Sequence, residues 1–268
     1  MILFKKLSLI LGISVYIAVA LWLNLLLTVV DSSRRLRAIS QWTRIINKFF
    51  KVIFRLKIVI EGERDRFNES GNFIVSNHLS YLDGVILGSL FAVVYVSKSQ
   101  VKSWPVFGWM TQVGGTIFID REKKHKTPEY IRQAARALKN KVNLLVFPEG
   151  TSTSGNRLLP FQTVHFESPL ITSSPILPVT VRYTRIDGQE VTALNRDKVC
   201  WYGQVKMFRH LNRLLDSRSI EAKVTLHPKV KPVPQLPGYS TRKQISENLY
   251  KVISGDYPLF KETSKESC

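Results

Sequence analysis

From Leu7 to Val30 the sequence carries no charged residue, with Lys5 and Lys6 before the run and Asp31, Arg34, Arg35 and Arg37 after it. As an α-helix this run would reach about 36 Å, enough to cross a ~30 Å hydrocarbon core with tilt. Such a surface must go into a bilayer or under a protein, and length and composition predict a retained membrane segment. A cleaved signal peptide is the competing reading, but the apolar run is long for one and no small-x-small site precedes the arginines.

Downstream, Ile39, Trp42, Ile45, Ile46, Phe49, Phe50 and Ile53 recur at three- and four-residue steps, with Arg44, Lys48, Lys51 and Arg55 between them. That spacing predicts a basic amphipathic helix over residues 34–56. Its aromatic face suits the membrane interface; packing on a soluble domain is the alternative. Residues 1–56 therefore read as a membrane anchor, either a spanning helix or a re-entrant one with an amphipathic partner. The larger basic cluster after the run favours the cytoplasmic side for the remainder of the chain.

The chain of 268 residues holds 39 Lys and Arg against 20 Asp and Glu, a formal net charge of +19. With 44% hydrophobic residues it can bury a core, so a disordered basic tail is excluded. The charge calls for a polyanion: nucleic acid, an anionic membrane surface or a phosphorylated small molecule. Cys200 and Cys268 make neither a disulfide framework nor a zinc spacing.

From residue 57 short apolar runs alternate with helical stretches. Strands are expected at Ile58–Glu61, Phe73–Ser76, Val94–Ser97, Thr116–Asp120, Asn143–Phe147, Ile176–Val181, Val199–Val205 and Lys223–His227. Helices are expected at Tyr81–Phe91 and Pro128–Lys139, the second with Thr127 as N-cap. Continuously apolar strands with helices between them indicate an α/β fold around a largely parallel central sheet. One domain over 57–260 and a frayed tail over 261–268 complete the organisation.

Three polar clusters stand at predicted strand ends. In Asn77-His78-Leu79-Ser80-Tyr81-Leu82-Asp83, the His and Asp lie about 140° apart on a continuous helix and can meet only across a strand-to-helix turn. Ser80 is then the N-cap and Asp83 the N3 residue, a structural job for the carboxylate. The functional reading has Asp83 fix the tautomer of His78 and support its imidazolium. Phe147-Pro148-Glu149-Gly150-Thr151-Ser152 places a carboxylate over the strand ends, where open α/β sheets bind ligands. In Gly115-Thr116-Ile117-Phe118-Ile119-Asp120-Arg121, the arginine is a candidate two-pronged phosphate ligand, while the lysines beyond it read as a solvated loop.

Asn77-His78-x-Ser80-Tyr81-x-Asp83, Gly115-x-x-Phe118-Ile119-Asp120-Arg121, Phe147-Pro148-Glu149-Gly150-Thr151 and Ile176-Leu177-Pro178-Val179 together resemble the four ordered blocks of the glycerolipid acyltransferases, the group containing 1-acyl-sn-glycerol-3-phosphate acyltransferase. The resemblance covers about residues 57–230 and extends to the membrane-dipping N-terminal helices. It implies a membrane-bound O-acyltransferase, in which His78 is the general base on a lysophospholipid hydroxyl and Asp83 orients it. The hydroxyl oxygen attacks the thioester of acyl-CoA or acyl carrier protein directly. It further implies acceptor binding by Asn77, Ser80, Arg121, Glu149, Gly150 and Thr151, with no metal, no cofactor and no nucleic acid; membrane lipids and the acyl donor are the partners.

Two departures keep the acceptor open between 1-acyl-sn-glycerol-3-phosphate and another lysolipid such as lyso-ornithine lipid. Ser152 stands where the family often has arginine, and Phe161-Gln162-Thr163-Val164 replaces a Phe-Lys-x-Gly element. The alternatives from other classes are a serine esterase using Ser80 or Ser152, whose surroundings lack the Gly-x-Ser-x-Gly spacing, and a non-catalytic basic membrane module.

Overall fold

The computed structural model describes residues 2–27, 32–120, 123–232, 241–257 and 260. Two expected features, Arg121 and the tail 261–268, lie outside the described residues.

Two helices open the chain, α1 (Ile2–Leu26) and α2 (Ser32–Ile53). The rest alternates through β1 (Leu56–Glu61), β2 (Phe73–Ser76), α3 (Tyr81–Leu90), β3 (Val93–Lys98), α4 (Phe107–Val113), β4 (Ile117–Ile119), α5 (Thr127–Lys139), β5 (Asn143–Val146), α6 (Glu167–Thr172), β6 (Ile176–Ile186), β7 (Gln189–Glu190), α7 (Met207–Asp216), β8 (Ile220–Leu226) and α8 (Arg242–Gly255).

One sheet carries the strands in the order β1-β8-β6-β2-β5-β3-β4, with the short β7 beside β6. Five neighbours, β6, β2, β5, β3 and β4, run parallel. β8 is antiparallel to β6 and takes β1 alongside it in parallel, so the sheet is mixed but mostly parallel. All four residues of β2 and of β5 are buried, as expected of central strands covered on both faces. β8 alternates buried and half-buried positions.

The parallel strands bring three loop starts to one edge of the sheet: His78 after β2, Glu149 after β5 and Lys98 at the end of β3. Ser80 caps α3 in a capping box with Asp83, as the spacing predicted. α5 begins one residue earlier than expected: Lys126 is its N-cap and Thr127 is helical, because a 3₁₀ turn over Lys124–Lys126 runs straight into it.

A second correction concerns Val199–Val205, which is not a strand. Val199 and Cys200 are buried and Trp201, Tyr202 and Val205 half-buried, yet the backbone joins no ladder. Trp201 N–H instead donates to Leu79 O at 2.8 Å, and its indole Nε1 closes a turn on Val205 O at 2.7 Å.

α1 is the helix among the described residues long and apolar enough to cross a membrane. One face, Leu9, Gly12, Tyr16 and Ala20, is buried, and the other, including Leu3, Phe4, Leu7, Leu11, Trp22 and Leu25, is exposed. At its start Lys5 Nζ donates to Leu215 O and Ser217 O at the end of α7, and near its finish Asn24 Nδ2 donates to Val113 O at the end of α4. These anchor points are about 28 Å apart along the axis, so α1 lies lengthwise on the domain.

α2 returns beside α1, and a Cβ on Gly12 would come within 2.6 Å of Phe49 Cε1. Its apolar face is split. Ile39, Ile46, Phe50 and Ile53 are buried, each worth roughly 1.5–3 kcal/mol. Ile45, Phe49 and Val52 remain exposed. The expectation that the whole face lies in the membrane interface is therefore corrected: its larger half packs on the domain.

Candidate active site

The turn between β2 and α3 folds by local rules. Ser80 leaves the extended conformation of β2 as an N-cap, and the N3 carboxylate of Asp83 reaches back to the N–H groups of Leu79 and Ser80 at 2.6 and 2.8 Å. The same oxygen, Oδ2, lies 2.9 Å from His78 Nδ1. Since an ionised carboxylate only accepts, Nδ1 carries the proton and Nε2 is left as the basic nitrogen. His78 Nε2 has no protein partner among the described residues. The imidazole is further held by stacking on Phe147, centroid to centroid at 4.1 Å and 15° between planes.

The backbone of His78 is gripped by the loop after β5. Glu149 Oε1 accepts from His78 N–H at 2.7 Å, while Thr153 N–H donates to His78 O at 3.0 Å. Glu149 Oε2 accepts from Leu159 N–H at 2.9 Å, so one carboxylate ties two loops together. Gly150 turns the chain at φ +75°, in the region that favours glycine. Burial pushes the Glu149 carboxyl up to about 7, against the pull of its two N–H donors.

Before this edge of the sheet opens a cavity of about 480 Å³. Its walls are largely apolar: Leu9 and Ile13 from α1, Ile46, Phe50 and Phe54 from α2 and the segment after it, Val85 from α3, and Trp104, Phe107 and Met110 around α4. His78, Tyr81, Gly150, Thr151 and Ser152 line it on the side of the strand ends, and Lys98 is the one Lys or Arg among its described lining residues. An apolar hollow that ends on a histidine with a free Nε2 can take an alkyl chain and present its polar end to a base.

Several expected site residues take other positions. Asn77 does not line the cavity; its Nδ2 donates to Val181 O at 2.9 Å and its Oδ1 accepts from Val181 N–H at 2.8 Å, extending the β2–β6 ladder through a side chain. Ser80 is fully buried in its capping role, and Glu149 is buried as a brace rather than projecting over the strand ends. His78, Gly150 and Thr151 do border the cavity, and Asp83 touches His78 from behind. Neither serine of the esterase alternative is bonded to His78: Ser80 Oγ accepts from Leu82 N–H, and Ser152 Oγ donates to Trp201 O.

Sequence reasoning passed over Lys98 and Tyr183. Lys98 ends an apolar strand at the same edge as His78, a signal that position alone supplied. Tyr183 lies 100 residues beyond its partner Asp83, and nothing local marks it.

Comparison with known proteins adds the family. The model described as Acyltransferase matches residues 57–182, which takes in the turn at His78, the loop at Glu149 and most of β6. A lyso-ornithine lipid O-acyltransferase of Rhizobium meliloti is 31% identical over 213 residues, covering 74% of this chain and 72% of that protein. The chain belongs to the acyltransferase family. A 1-acyl-sn-glycerol-3-phosphate acyltransferase of Neisseria gonorrhoeae is 27% identical across 70% of this acyltransferase and 71% of its own length. Among solved structures, the 1-acyl-sn-glycerophosphate acyltransferase PlsC of Thermotoga maritima superposes with a TM-score of 0.65, at 20% identity, over 95% of this chain and 93% of that one, and so shares the fold.

Proposed function

We propose that this acyltransferase moves an acyl chain from a thioester, acyl-CoA or acyl carrier protein, to the free hydroxyl of a lysophospholipid, with 1-acyl-sn-glycerol-3-phosphate as the first acceptor to test. The observation that carries the reading is the geometry of His78: Nδ1 held by Asp83 and Nε2 free at the wall of an apolar cavity. His78 Nε2 takes the proton of the acceptor hydroxyl as its oxygen attacks the thioester carbonyl. Asp83 supports the imidazolium. The C–S bond then breaks, and the departing thiolate takes the proton from Nε2. The step balances without a cofactor or metal.

Lys98 and Arg121 are the cations assigned to the phosphate of acceptor or donor. A second acceptor, a lyso-ornithine lipid, is favoured by one specific observation: Ser152, where the family often carries arginine, uses its hydroxyl on Trp201 O. Relatives bearing each of the two names match this chain, which makes the head group the informative variable.

The catalytic unit sits at the membrane as a monotopic protein. α1 held lengthwise at Lys5 and Asn24 presents its apolar outer face, beside the Ile45, Phe49 and Val52 stripe of α2, to one leaflet. The cations of α2 support a cytoplasmic side, toward anionic head groups.

Membranes containing the protein, given a labelled acyl thioester and a panel of lysolipids, are expected to form diacyl product, and His78→Ala to abolish it while the protein remains folded and inserted. Transfer that survives His78→Ala overturns the mechanism. Acyl release to water without acceptor overturns the transferase reading.

A further inference from the structure

The carboxylate behind His78 has two oxygens, and local rules account for one. Asp83 Oδ2 receives His78 Nδ1 and the N–H groups of Leu79 and Ser80. Among the described residues, Asp83 Oδ1 receives a single donor, the hydroxyl of Tyr183 on β6, at 2.6 Å. Both residues are buried, Asp83 at 0% and Tyr183 at 1% exposure, so no water competes for this bond.

The placement of Tyr183 is built into the sheet. Asn77, next to His78, grips both the N–H and the carbonyl of Val181, which fixes β6 against the end of β2. Tyr183 stands two residues on, the strand interval that returns a side chain to the same face. Immediately after it the pairing of β6 with β8 slips, between Tyr183 and Arg185. A β-bulge at this point re-aims the strand, so Tyr183 belongs to the register set by Asn77.

We propose that Tyr183 is a positioning residue for the acyl transfer, acting through Asp83 on His78: its O–H fixes the rotation of the carboxylate and disperses its charge, which sets both the orientation and the basicity of the imidazole. This rests on His78 being the general base. Tyr183 remains a donor throughout, because burial and the neighbouring carboxylate raise its phenol pKa. The other titratable groups near this carboxylate among the described residues are Glu149, pushed up by burial, Cys200, whose thiol is likewise raised by burial, and Tyr257, whose phenol burial also raises. With Tyr183 removed, Oδ1 stays buried without a partner and more negative charge falls on the side facing His78.

Tyr183→Phe keeps the ring and deletes only the donor. In the full-length protein in membranes, kcat is expected to fall about tenfold with KM for donor and acceptor unchanged, and the acid limb of the kcat–pH profile to move to higher pH. In an Asp83→Asn background the same change is expected to cost no further activity. A Tyr183→Phe enzyme with wild-type kcat and pH profile overturns the proposal, as does an equal loss in both backgrounds. Because the wild type must be active and His78-dependent for either readout, failure here is distinct from failure of the acyl-transfer reading.

Discussion

In the turn after β2, Asp83 binds a side chain, the imidazole of His78; in the turn after β5, Glu149 binds only backbone among the described residues. Both carboxylates are buried, and both accept N–H groups from the residues around His78. Among the described residues Asp83 has four donors, including the phenol of Tyr183 and the imidazole. Glu149 has the N–H groups of His78 and Leu159, and burial raises its carboxyl to about 7. The lesson is one of division: under the proposed mechanism the first turn tunes the base, and the second holds in place the backbone that carries it.

That division predicts unlike failures. Asp83→Asn keeps one acceptor oxygen but removes the negative charge that would support the imidazolium, and kcat should fall by on the order of 100-fold or more. Steady-state rates at saturating donor and acceptor check it; a loss under threefold, an order-of-magnitude bound well below general acid–base contributions, would erase the contrast.

Glu149→Gln should act mainly on stability and on its pH dependence. The folded-state carboxyl, at about 7, lies above its ordinary 4.5, so the folded protein holds this proton more tightly than the unfolded chain. The stabilising contribution is complete below about pH 4.5 and is lost as the pH rises through about 7. Melting temperatures measured across that window should decline for the wild type relative to Glu149→Gln, whose amide does not titrate. Parallel curves for the two proteins would mean that Glu149 stays ionised and that the second turn is not a neutral brace.

The smallest effect is expected at Thr153, whose N–H holds His78 O and whose hydroxyl pairs with Tyr257 at 2.8 Å. Thr153→Val keeps the first bond and deletes the second, together with the longer 3.4 Å contacts of the same hydroxyl with His78 O and Gly155 N–H, for a cost of about 1 kcal/mol in thermal unfolding with little change in kcat. A large kcat loss here would move the second turn into the chemistry.

Legibility in the sequence tracks the range of the interaction. Ser80, Asp83 and His78 lie within one turn of chain, so capping and side-chain chemistry sufficed to place them. The α/β sheet was legible too, because β2 and β5 are buried on both faces and read as unbroken apolar runs. Asn77 was misplaced at the substrate because its partner, Val181, is 104 residues away, and Tyr183 was missed for the same reason. The segment after Val199 has the composition of a strand, and only the competition of Leu79 O for Trp201 N–H decides that it is none. The periodicity of α2 was read correctly but not its split burial, which depends on where α1 and α3 stand.

The helix with the most membrane-like sequence also supplies a wall of the cavity at His78. Leu9, Ile13 and Tyr16 of α1 line the cavity that ends at His78, while the opposite side of the same helix carries Phe4, Leu7 and Trp22. Under the proposed function, attachment and substrate containment would share one part of the molecule, and trimming the chain to obtain a water-soluble enzyme would remove one side of the cavity along with the apolar outer face of α1. A shortened protein beginning near residue 57 should therefore lose its grip on the acyl chain even where the histidine and its carboxylate survive intact.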